Sequence, residues 1–316
     1  MDSPIITVRD FRKRYGPLTA VDGISFDIAP GEIFGLLGPN GAGKTTTLEC
    51  LEGLRAPDAG TLRVAGIDPT HDRRALRAVI GVQLQSSGMP ESITPDEAMK
   101  LFCAYHGVAP RHDLLDRLGL ATRRRAQFHE LSAGQQRRLA LALAVAHAPR
   151  VLFLDEPTAG LDVQTRVELH SLMRELKADG TTIMLATHDM AEAEEMADRV
   201  AILMQGRIVT IGTPIQITAT GAGLTKISIQ TTHGSLLADG HHLPAVGQQT
   251  TRDNYAIFYS TDIGRTLNAL LETVSAAADP LIDLRVERPS LEDRFLELTN
   301  APNGGNGHPT AMRSQL

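Results

Sequence analysis

What this chain has little of narrows its role before any motif is read. Its two cysteines, Cys50 and Cys103, stand in no CxxC or Cys/His spacing, so a disulfide framework and a zinc site lack support and a reducing compartment is expected. Basic charge is not in excess. A formal net charge of -6 argues against a general nucleic-acid binder, which would carry a basic field over much of its surface. Long apolar runs are missing too: Leu139 to Ala146 and Val151 to Leu154 fall far short of the roughly 20 residues that span a bilayer. The amino terminus MDSPIITVRD has acid at Asp2 and no basic flank leading into an apolar stretch, so no secretory signal is expected. Any membrane role would come through another polypeptide.

At 316 residues the chain is long enough for one large domain and a smaller one attached. Ile5 to Arg9 and Ile24 to Ile28 read as strands, and the turn Pro30-Gly31 leads into a buried strand at Glu32 to Leu37. A helix is expected from Lys44 to near Leu54, because Pro57, Asp58 and Gly60 follow as turn residues before a short strand at Thr61 to Val64. Between Ser86 and Arg138 the texture becomes helical. There SITPDEAMKLF offers Thr94 as N-cap, Pro95 at the first helical position and Glu97 to complete a capping box. The short apolar runs Val151 to Leu154 and Thr182 to Ala186, separated by a helical stretch from Val163 to Lys177, give the alternation of a parallel α/β sheet. TATGAG at 218–223 reads as a linker. Beyond it, strands at Lys226 to Gln230, Tyr255 to Tyr259 and Ile282 to Glu287, with helices at Arg265 to Ala277 and Leu291 to Leu298, predict a small α+β domain over 224–300. The tail 301–316 has too little apolar content to pack and is expected to be disordered.

Chemistry enters at GPNGAGKTT. Gly38-x-x-x-x-Gly43-Lys44-Thr45 matches the P-loop pattern between a strand and a helix, as that motif requires. Its glycines let backbone N–H groups turn inward around phosphate oxygens, and the helix amino terminus adds the positive end of its dipole. Lys44 would reach the β- and γ-phosphates, and Thr45 would offer a hydroxyl to Mg²⁺. A second element, Val151-Leu152-Phe153-Leu154-Asp155-Glu156, buries four apolar residues and delivers two acids at a strand's carboxyl end, where open α/β sheets bind ligands. Asp155 would hold Mg²⁺, leaving Glu156 to polarise the attacking water.

With these in place, the sequence resembles the ATP-binding cassette (ABC) proteins over nearly all of residues 5 to 214. LSAGQ at 131–135 looks like the family signature, Gln85 in IGVQLQ corresponds to the Q-loop glutamine, and Ala159-Gly160-Leu161-Asp162 resembles the D-loop. His188 stands where the family has its switch histidine, and Tyr15 in KRYG where it has an adenine-stacking aromatic. Singly, His188, Gln85 and Tyr15 carry little; their order and spacing give them meaning. The resemblance implies a P-loop NTPase with a RecA-like parallel-sheet core, an antiparallel β subdomain and a helical subdomain at about 86–138, within an ATP-binding domain spanning 5–217. It implies ATP and Mg²⁺ as ligands, with Gly38, Pro39, Asn40, Gly41, Ala42, Gly43, Lys44, Thr45 and Thr46 as the phosphate cradle. Thr45, Gln85 and Asp155 would serve the metal, and Glu156, His188 and Gln85 the reaction. Ser132, Gly134, Gln135 and Asp162 would meet the nucleotide across a head-to-tail dimer. One departure stands out: Ala133 occupies the first glycine of the family's LSGGQ, a methyl that ordinary helical angles would tolerate and a positive φ would not. The arginine runs Arg123-Arg124-Arg125 and Arg137-Arg138 are expected to be solvated helix faces.

ABC domains serve exporters, importers, DNA-repair machines and translation factors. No heptad-patterned insertion separates Thr45 from Asp155, and there is one P-loop and one signature, against the repair and translation classes. RVERPSLEDRFLELT at 285–299 resembles the accessory domain of bacterial ATPase subunits paired with ABC-2 type permeases, including antibiotic and lipid exporters. The expected assembly is therefore two ATPase subunits, both this chain or one a homologue, with a separate membrane permease at the cytoplasmic face of the membrane. An importer or a non-transport ABC protein is the alternative, and no nucleic-acid partner is expected.

Overall fold

The computed structural model describes residues 3–83, 88–219, 224–237, 243–287 and 290–300. The chain divides into two compact units, Met1–Gln216 and Ile217–Leu316. In the first, β1 (Ile6–Tyr15) and β2 (Leu18–Ile28) form a hairpin, β3 (Ile33–Leu37) leads into α1 (Lys44–Leu51), and β4 (Ala59–Val64), α2 (Arg73–Val79) and β5 (Ile80–Gln83) follow. A helical stretch holds α3 (Pro95–His106), α4 (His112–Arg117), two short 3-10 turns and α5 (Ala133–Val145). Sheet then returns at β6 (Val151–Asp155), and α6 (Val163–Ala178) connects it to β7 (Thr182–Thr187). The unit closes with α7 (Met190–Met196), β8 (Arg199–Met204), β9 (Arg207–Gly212) and the start of α8 (Pro214–Ala219).

Six strands in the order β5-β6-β7-β3-β8-β9 build the central sheet, parallel except for β9. Both of its faces are buried, which explains why β3, β6 and β7 are continuous apolar runs. Successive residues go to opposite cores: Phe34, Val151, Phe153 and Met184 join the cluster beneath the antiparallel sheet β2-β1-β4, while Ile33, Leu152, Leu154 and Leu185 join the cluster under α3 to α6. The capping box at Thr94 is formed as the sequence predicts, with Glu97 Oε2 accepting from Thr94 N at 2.9 Å and Thr94 Oγ1 accepting from Glu97 N at 3.3 Å. Helix α1 stops at Leu51, short of the expected Leu54, because Glu52 caps it and Gly53 turns into the left-handed region at φ +73°.

The second unit is an antiparallel sheet of β10 (Thr225–Thr231), β11 (Val246–Arg252), β12 (Tyr255–Ser260) and β13 (Leu281–Glu287), ordered β11-β12-β10-β13. Its helices are α9 (Ile263–Ala276) and α10 (Leu291–Asn300). Ile227, Ile229 and Phe258 from the sheet pack with Leu270 and Val274 of α9, an α+β core in miniature. Of the stretch read as a linker, Thr218 and Ala219 end α8 and 220–223 lie outside the described residues, as does the tail 301–316.

Candidate functional site

Three adjacent strands of the central sheet aim their carboxyl ends at one place. β6, β7 and β3 lie side by side, and the register pairs Asp155 with Ala186 and Leu37 with Thr187. One step further along the chain each strand delivers a functional residue: Glu156 after β6, His188 after β7 and Gly38 after β3. The loop from Gly38 closes on Gly43, whose left-handed φ of +108° makes it the N-cap of α1. A side chain there would run into the carbonyl of Ala20 on β2, so close packing as well as φ demands glycine. Lys44 opens the helix and is buried, its Nζ donating to the carbonyls of Gly38 at 2.7 Å and Pro39 at 3.3 Å. Burial holds its ammonium below the ordinary lysine pKa, while Glu156 and Asp155 pull the other way.

Asp155 and Glu156 are 5% and 7% exposed. Thr45 Oγ1 donates to Asp155 Oδ2 at 2.9 Å, which joins the first turn of α1 to the end of β6. Burial pushes the Asp155 carboxyl up, against the Thr45 hydrogen bond that pulls it down. Glu156 sits between a lysine and a histidine: its Oε1 lies 3.6 Å from Lys44 Nζ, and its Oε2 2.7 Å from His188 Nδ1. Because a carboxylate only accepts, that ring nitrogen carries the hydrogen, an assignment from chemistry. Glu156 also adopts φ +50°, a conformation few non-glycine residues take. Asp155 Oδ1 is buried and has no hydrogen-bond partner among the described residues. An orphaned carboxylate oxygen beside a threonine hydroxyl is a donor set suited to a hard, oxygen-seeking cation, so the residues fit Mg²⁺.

The signature residues form a second group. Ser132 caps α5 in a reciprocal box with Gln135, at 3.2 Å from Gln135 N and 3.0 Å from Ser132 N to Gln135 Oε1. Ala133 is the first helical residue and is absent from the positive-φ positions, so its methyl rides on ordinary helical backbone. A Cβ on Gly134 would meet Leu161 Cδ2 at 3.5 Å, placing the signature beside the 159–162 turn. Asp162 caps α6, accepting from Thr165 N at 2.9 Å and Thr165 Oγ1 at 2.8 Å. Among the described residues no hydrogen bond or ion pair links Ser132, Gly134 or Gln135 to Lys44, Thr45 or Asp155. Tyr15 stands at the end of β1, 36% exposed, with Lys13 Nζ 5.5 Å and Arg55 Cζ 5.4 Å from its ring centre. Gln85 lies outside the described residues.

The arginine pair after the signature is not a solvated face, contrary to expectation. Arg137 Nη1 donates to the main-chain carbonyl of Glu156 at 2.5 Å, and Arg138 Nη1 reaches the carbonyl of Leu118 at 3.3 Å. In the other run, Arg124 is likewise anchored, to Asp116 and to the carbonyl of His112. Helical periodicity shows which residues share a face, whereas the carbonyl opposite that face belongs to a distant part of the chain.

Comparison with known proteins agrees with this geometry. The ABC transporter family profile matches residues 21–159. A Nod factor export ATP-binding protein I from Paraburkholderia xenovorans is 40% identical over 297 residues, covering 91% of this chain and 94% of the relative. A daunorubicin resistance ATP-binding protein from Streptomyces coeruleorubidus is 35% identical over 306 residues, covering 95% and 97%. A dimeric ATP-binding cassette solved in a post-hydrolysis state with ADP and Pi matches with TM-score 0.61 at 25% identity, covering 66% of this chain and 98% of that one. The chain belongs to the ABC transporter family, as one of its ATP-binding, ATP-hydrolysing subunits.

Proposed function

We propose that this chain powers export: two ATPase subunits close on two Mg-ATP and drive a separate membrane permease, working at the cytoplasmic face. The observation that carries the ATPase half is the convergence of Lys44, Thr45, Asp155, Glu156 and His188 at three neighbouring strand ends. Export is supported by the relatives named for Nod factor export and daunorubicin resistance, which match this chain over nearly its whole length, second unit included. Among the described residues no helix is long and apolar enough to cross a membrane, which suits a subunit that borrows its membrane path from a partner.

In this reading the backbone N–H groups of Gly38 to Lys44 cradle the phosphates at the amino terminus of α1. Lys44 exchanges its loop carbonyls for β- and γ-phosphate oxygens, which frees Oε1 of Glu156 to accept a hydrogen bond from the attacking water. His188 holds the other carboxylate oxygen through Nδ1, which leaves its second ring nitrogen to meet the γ-phosphate. Thr45 and the free Oδ1 of Asp155 would hold Mg²⁺, which would supply positive charge to the phosphate oxygens. Tyr15 offers a π-face to adenine. Ser132, Gly134 and Gln135, unlinked to their own P-loop among the described residues, are left to complete the site of the opposing subunit, and Gln85 would sense the metal and water.

The test is a pull-down from detergent-solubilised membranes of the source cell with tagged Glu156→Gln and Mg-ATP. Co-purification of a polytopic membrane protein in about equal amount is the expected result. Ribosomal or DNA-bound proteins without a permease would leave the ATPase standing and remove the transport assignment.

A further inference from the structure

We propose that Arg137 is a positioning residue for hydrolysis, fixing the Glu156 peptide from the signature helix so that the orientation of that helix sets the aim of the Glu156 carboxylate. The inference rests on the reading of Glu156 as the group that polarises the attacking water.

Besides Lys44 at its Oε1, four contacts hold Glu156 in its left-handed conformation. Its N–H donates to Ala186 O of β7 at 2.8 Å, its Oε2 meets His188 at 2.7 Å, and its carbonyl accepts from Ala159 N at 3.3 Å. These come from the sheet and its loops. The fourth, the Arg137 guanidinium on the same carbonyl at 2.5 Å, comes from α5. A residue at φ +50° stays there only while its surroundings over-determine it. The sheet thus fixes the amide end and the tip of the side chain, and the carbonyl end is shared between Ala159 N of its own loop and Arg137 of the helical stretch. Displacing α5 against the sheet would turn this peptide and, through its Cα, the carboxylate.

The arrangement is specific to Arg137. Its neighbour Arg138 turns to Leu118 O and to Glu168, 3.7 Å away, so the two arginines are not interchangeable. Arg137 follows Gln135 by two residues on one continuous helix whose cap is Ser132. Whatever engages Ser132 and Gly134 therefore acts on a rigid rod whose next turn grips the catalytic peptide. Arg137 and Gln83 line one small crevice, and the buried Oε1 of Gln83 has no partner among the described residues.

The experiment compares Arg137→Ala, Arg137→Lys and Glu156→Gln with the unaltered full chain, under conditions where the latter turns ATP over, together with the Arg137→Ala/Glu156→Gln double variant. Arg137→Ala should lower kcat by roughly 10- to 100-fold with KM and ATP affinity nearly unchanged, the signature of a misaimed group. Arg137→Lys should recover part of the loss. In the double variant Arg137→Ala should add no further loss, because the carboxylate it aims is already gone. Normal kcat in Arg137→Ala, a loss confined to KM, or a multiplicative loss in the double variant would each overturn the proposal. Normal turnover by Glu156→Gln would instead remove the reading beneath it, so the two failures are distinguishable.

Discussion

Glu156 and Glu52 are equally buried, 7% exposed each, in the same unit, and they could hardly be treated more differently. Glu156 lies between Lys44 and His188 with its backbone held on both sides. Glu52 caps the carboxyl end of α1, the negative end of the helix dipole, and its Oε2 is buried without a partner among the described residues. Burial, reinforced by Asp155 and Glu49, pushes its carboxyl up to about 8. It faces an apolar cavity of about 630 Å³ walled by residues such as Ile80, Phe102 and Leu143. Burying an acid is therefore not what makes a site. The strand ends become one because a lysine, a histidine, a hydroxyl and fixed peptides converge on the acids there.

The contrast can be broken at Lys44 first. Lys44→Ala removes the buried charge that the P-loop presents, and ATP affinity should fall by roughly 10- to 100-fold, as for loss of a charge-assisted hydrogen bond; unchanged binding by equilibrium titration would contradict the loop assignment. Glu52→Gln probes the other side. The folded-state pKa is raised from 4.5 to about 8, so between those values the folded chain keeps a proton that the unfolded chain releases, and stability falls as pH rises through that window. The amide that replaces the carboxyl cannot ionise. The Glu52→Gln protein should thus match the unaltered one near pH 4.5 and exceed it by on the order of 3 kcal/mol near pH 8, read by denaturant titration.

Smaller effects sharpen the separation of structure from function. Thr94→Ala breaks the capping box of α3 and should lower stability by about 1 kcal/mol without altering turnover per folded molecule. Ala133→Gly, at an exposed position with ordinary helical backbone, should stay within about 0.5 kcal/mol in stability and leave turnover unchanged. A clear rate change there would mean that the methyl obstructs the opposing nucleotide.

Much of the site was legible because P-loop chemistry is written contiguously: Gly43, Lys44 and Thr45 fall in one loop, and Asp155 and Glu156 end one apolar strand. The core strands β3, β6 and β7 were legible for a related reason, since burial on both faces forces unbroken apolar runs, but β8, whose RVAILM is equally apolar, is not among the strands expected from the sequence. Elements with mixed exposure were not. β9 reads RIVTIG with alternate residues exposed, and β11 reads VGQQTTR with no buried position, so neither stands out from loop. Helix α2, seven residues of RRALRAV with only Leu76 buried, offers no periodicity to detect. Arg137 and Glu52 escaped for a deeper reason. Each owes its character to what lies across from it, a carbonyl 19 residues away in one case and an apolar wall in the other.

Single-turnover hydrolysis by Glu156→Gln, measured beside its equilibrium affinity for ATP, tests the central claim most directly. Keeping the shape of the side chain while removing its basicity should slow hydrolysis by roughly 100- to 10,000-fold and leave ATP affinity nearly unchanged. Hydrolysis at the rate of the unaltered chain would contradict the assignment of the strand-end cluster as the catalytic site.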